Sequence, residues 1–103
     1  MEKREAYCHL VASVLASDGI IEPSERRFLH DAMTKMALTP HERDQVMHFE
    51  NNEEALTFAS KFPESERREL LDELVAAALV DGRLSPYETA LIEKISVALS
   101  LSA

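Results

Sequence analysis

The apolar positions fall three and four residues apart along most of the chain. Tyr7, Leu10, Val11 and Val14 share one face of a first segment, and Phe28, Leu29, Ala32, Met33 and Met36 share one face of a second. Ala55, Leu56, Ala59 and Phe62 repeat the spacing, as do Leu91, Ile92, Ile95 and Leu99. That period belongs to amphipathic α-helices, and no stretch alternates long enough to suggest a strand. The pattern predicts six helices, over 2–17, 23–37, 40–49, 53–61, 63–79 and 86–99. The end of the fifth, "LVAAALV", is apolar nearly all round, which predicts the most buried helix of the set. The fold class is all-α: a single compact helical domain over 1–103, two pseudo-repeated helical hairpins joined by a short helical bridge.

The punctuation agrees with the period. Pro23, Pro40, Pro63 and Pro86 can each open a helix, where the missing N–H costs nothing. Thr39 with Glu42, and Ser85 with Glu88, have the spacing of a capping box, in which hydroxyl and carboxylate each satisfy a free backbone amide. Glu22 with Glu25 is a weaker version.

The two glycines both lie in a repeated corner. "ASDGIIEPSERRFL" from Ala16 and "LVDGRLSPYETALI" from Leu79 align with an offset of 63. Asp18, Gly19, Ile21, Pro23 and Glu25 thereby match Asp81, Gly82, Leu84, Pro86 and Glu88. A glycine past a helix end takes the left-handed conformation at little cost. Ile21 and Leu84 can then drop into the core, and the proline restarts a helix with the glutamate at its positive end.

The two aspartates have two readings. One is an Asx-type bond to the turn amides. The other is a divalent cation held between Asp18 and Glu25, with Glu22, or between Asp81 and Glu88. In EF-hand register Asp18 takes position 5, Gly19 position 6 and Glu25 position 12. Positions 1 and 3 are then Val14 and Ala16, or Ala77 and Leu79, which cannot ligate. Calcium takes roughly six to eight oxygens, so only a weak or shared site is compatible with this loop.

Charge narrows the partners. The formal net charge is −8, from 19 acidic and 11 basic residues, which disfavours phosphate backbones and anionic membrane surfaces. No apolar run is long enough to span a bilayer. The N-terminus "MEKREAYCHL" is charged, and Cys8 is the only cysteine; a cytosolic setting is expected. Cys8, His9, His30, His41 and His48 have no zinc-site spacing, and surface histidines are the expectation. No nucleophile, base or phosphate loop is evident, so an enzyme is not expected. An unidentified protein partner is, and a homodimer is compatible with the sequence.

The doubled Asp-Gly-x-[Ile/Leu]-x-Pro-x-Glu corner resembles that of the TerB-like tellurite-resistance family, as does the helical layout over nearly the whole chain. The resemblance implies a non-enzymatic helical module tied to stress responses, including tellurite resistance. It also implies that the corner acids Asp18, Glu25, Asp81 and Glu88 can bind a metal ion. Ser85 stands where the first copy has Glu22, so the two corners are not equivalent.

Overall fold

Three of the four prolines open helices as first helical residues, and this is what divides the chain. The computed structural model describes residues 1–80, 82 and 84–101. Its six helices are α1 Lys3–Leu15, α2 Pro23–Lys35, α3 Pro40–Met47, α4 Asn52–Ala59, α5 Glu64–Ala78 and α6 Pro86–Ala98. No strand occurs among the described residues. Both predicted hydroxyl capping boxes form: Glu42 N donates to Thr39 Oγ1 at 3.2 Å and Glu88 N to Ser85 Oγ at 3.1 Å. Pro63 differs from its three counterparts. It is the N-cap residue, and α5 begins at Glu64.

The centre of the domain is α1, which packs against all five other helices. Ala6, Cys8, His9, Leu10, Val11, Ala12, Val14 and Leu15 are all buried. This corrects the expectation that α5 is the most enclosed. On α5 only Leu70, Leu74, Ala77 and Ala78 are buried, while Leu79 and Val80 lie beyond its last turn, 44% and 39% exposed. An apolar stretch at a helix terminus reaches past the neighbouring elements, so composition alone overstates its burial. The predicted inner faces of α2 and α6 are also shallower than expected. Phe28, Met36, Leu91 and Ile92 are half-buried at the edge of the core rather than inside it.

The helix ends are built differently from the sequence argument. Gly19 (φ +86°) and Gly82 (φ +94°) do have positive φ. Gly19, however, sits three residues past the α1 C-cap Ala16 and donates its amide to Ala16 O at 2.9 Å. The left-handed caps directly at helix ends are Ala37, Phe49 and Ser100. Each is the centre of a Schellman motif: Leu38 N donates to Met33 O, Glu50 N to Gln45 O and Leu101 N to Ser96 O, at 2.9–3.1 Å. A non-glycine residue held there is strained by its Cβ. Ala37→Gly is therefore expected to stabilise the fold by about 1 kcal/mol. A urea midpoint that failed to rise at unchanged slope would contradict this.

Arginines tie these ends together. Arg4 of α1 donates to the carbonyls of Met36 and Ala37 at the end of α2, at 3.3 and 3.2 Å. Arg43 of α3 reaches Thr34 Oγ1 at 3.0 Å. Arg67 of α5 donates to Phe62 O at 2.8 Å and, closely, to Leu99 O at the end of α6. Cations placed on free C-terminal carbonyls answer both the missing hydrogen bonds and the negative end of the helix dipole.

Candidate functional site

The corner acids prove to be engaged locally. Asp18 is exposed, and its Oδ1 accepts the amide of Ile20 at 3.0 Å, the Asx-type bond. Glu25 turns inward, 4% exposed, with Oε1 accepting Glu22 N at 2.9 Å. Glu88 is equally buried and accepts Ser85 N at 3.0 Å. Its second oxygen, Oε2, has no hydrogen-bond partner among the described residues. Glu22 is exposed at the N-cap of α2. Among the described residues no three of His, Cys, Asp and Glu stand close enough to share a metal ion. Asp81 lies outside the described residues. Of the two apolar corner residues, Ile21 is half-buried, whereas Leu84 is 37% exposed and does not enter the core.

The histidines divide. His30, His41 and His48 are on the surface as expected, but His9 is buried. Its Nδ1 donates to Asn52 Oδ1 at 3.3 Å, since an amide oxygen can only accept. It lies on the side of α1 away from Tyr7, Leu10, Val11 and Val14, and it is buried because α1 is enclosed nearly all round. Burial also pushes the Cys8 thiol up to about 12, which keeps it protonated and unreactive.

An apolar groove, whose position the sequence did not indicate, lies along α1 and α5. It encloses about 430 Å³, within the size of ordinary binding clefts. Tyr7, Met36, Phe62 and Leu70 form its apolar lining, with Glu66, Glu69 and Glu73 along the α5 side. Lys3 crosses one end: its Nζ is 2.8 Å from Glu66 Oε1 and 5.7 Å from the centre of the Phe62 ring. Phe62 is itself held edge-on to Phe58, 5.3 Å between ring centres. Burial, with the nearby Glu73 carboxylate, raises the Tyr7 hydroxyl to about 12. Two signals for the groove were present in the sequence. The acids Glu66, Glu69 and Glu73 repeat at three and four, and Tyr7, Met36 and Phe62 are large residues at the margins of their apolar faces.

Arg4 also lines the groove and is held by carboxylates. Its Nη2 lies 3.2 Å from Glu42 Oε2 and its Nε 2.7 Å from Glu2 Oε2. The Glu42 carboxyl is held below the ordinary carboxylate range, first by the Thr39 amide and further by contacts with Glu5 and Arg4. A depressed folded value means stability that is present above the unfolded value and lost as pH falls through the folded one. Glu42→Gln is therefore expected to lower the melting temperature at neutral pH. The gap from the parent should close as pH drops below about 4; a gap independent of pH would contradict the assignment.

Residues 4–103 match the family model described as tellurite resistance protein TerB. The chain belongs to the TerB family. Comparison with curated proteins and with solved structures gives no match. TerB membership makes this a tellurite-resistance-associated domain, with the six-helix fold as its frame. No helix among the described residues is long and apolar enough to cross a membrane.

Proposed function

We propose that this TerB domain is a non-enzymatic cytosolic module of the tellurite and wider stress response, which holds a protein partner in the α1–α5 groove. The observation that carries the reading is the half-buried apolar lining, where Tyr7, Met36 and Phe62 line an open cleft instead of closing the core. An apolar cleft of this kind, once a partner covers it, gives affinity that scattered surface charge pairs do not. The protonated Cys8 thiol argues against nucleophilic catalysis. The test is capture of host proteins by the wild-type chain and by Phe62→Ala, with the fold of the variant checked by circular dichroism. A partner held at high ionic strength by the wild type and lost by the variant supports the reading. Equal capture, or turnover of a substrate by the purified chain, contradicts it.

One observation favours a second reading, a divalent cation at the corners: the buried Oε2 of Glu88, which has no partner among the described residues. A melting temperature raised by calcium or zinc and restored by chelator, in the wild type but not in Glu88→Gln, would support it.

A further inference from the structure

We propose that the occupant of the α1–α5 groove is an amphipathic helix carrying two basic side chains one turn apart beside an apolar stripe. This deepens the interaction reading and rests on it. The argument starts from the charges around the groove. Its two cations are already committed, Lys3 to Glu66 and Arg4 to Glu2 and Glu42. Glu69 and Glu73, in contrast, make no ion pair or hydrogen bond among the described residues, although both are close enough to Lys3 to raise its pKa. The groove therefore presents an apolar strip bordered by two uncompensated carboxylates.

The spacing of those carboxylates specifies the ligand. Glu69 and Glu73 are four residues apart on one helix, so they stand about 6 Å apart along its axis. Two Lys or Arg side chains at i and i+4 of an incoming helix repeat that rise. The apolar residues on the adjoining face of that helix then rest on Tyr7, Met36, Phe62 and Leu70. Lys3 does not block entry, because its pairing with Glu66 is exposed and such pairs contribute little. A second copy of the chain is a poor occupant, since two molecules of net charge −8 repel one another. Nucleic acid is repelled for the same reason.

The experiment uses the full chain and a synthetic helical peptide. The peptide carries leucines at helical spacing, two lysines four residues apart, and a fluorophore for anisotropy. Saturable one-to-one binding is expected. Its affinity should fall by about tenfold in Glu69→Lys/Glu73→Lys, a double variant at exposed positions that should keep its circular dichroism and melting temperature. A peptide with glutamate in place of both lysines should not bind. Equal binding of the two peptides, full affinity in the double variant, or absence of saturation overturns the proposal. So does a dimer of the chain, seen by sedimentation, that the same double variant dissolves. Host-protein capture that still depends on Phe62 while the peptide fails would leave the groove as an interaction site and reject only the basic helix.

Discussion

Leu74→Ala is expected to cost about 3 kcal/mol of stability, within the roughly 2–5 kcal/mol seen when a buried leucine is truncated. Leu74 is fully buried on α5, and α5 packs against the central helix α1. The truncated side chain leaves a hole that α1 cannot readily move to fill, because α1 is also packed against α2, α3 and α4. For a domain near 100 residues the melting temperature should fall by roughly 15 °C. Ala76→Leu on the same helix provides the contrast. Ala76 is exposed, and a change there should stay within about 0.5 kcal/mol. Similar losses at both positions would mean that α5 is not seated on α1 as described.

The second large effect comes from adding volume. Ala55 and Ala59 are fully buried one turn apart on α4, and the main packing partner of α4 is α1. Small residues at such a seam allow the two backbones to approach. Ala55→Leu forces three further carbon atoms into it and should destabilise by about 2 kcal/mol. Ala55→Gly is expected to destabilise as well, by about 1 kcal/mol, through helix propensity. Thermal unfolding of both variants distinguishes tight packing from loose packing. A neutral leucine variant would show that the α1–α4 seam has room to spare.

Much of the fold is legible in the chain alone. Four of the six helices follow from apolar spacing, and the starts at Pro23, Pro40 and Pro86 from local capping chemistry. Both kinds of signal act within a turn or two of chain, so a linear reading contains them. The expectations that failed depended on distance. "LVAAALV" is apolar throughout, yet Leu79 and Val80 remain exposed because nothing in their neighbourhood in sequence says where the other helices stop. His9 is buried because α1 became the central helix, which its composition did not announce.

The candidate site divides in the same way. Asp18 and Glu25 could be read as corner residues, and a local bond to the turn was among the readings for Asp18. The place of the α1–α5 groove could not be read, although the repeat of its acids could. The groove is assembled from the start of α1, the end of α2 and the first turns of α5, and closed by the contact of Lys3 with Glu66, 63 residues away. Arg4 reaches across 32 residues to Met36 and 38 to Glu42, and Arg67 across 32 to Leu99. Sequence by itself determined which segments are helical and where three of them begin, because those choices are made by hydrogen bonds and side chains within one or two turns. Tertiary structure alone decided which helix is central, which apolar residues stay at the surface and which acids are left without a cation, because these depend on contacts between residues far apart in the chain.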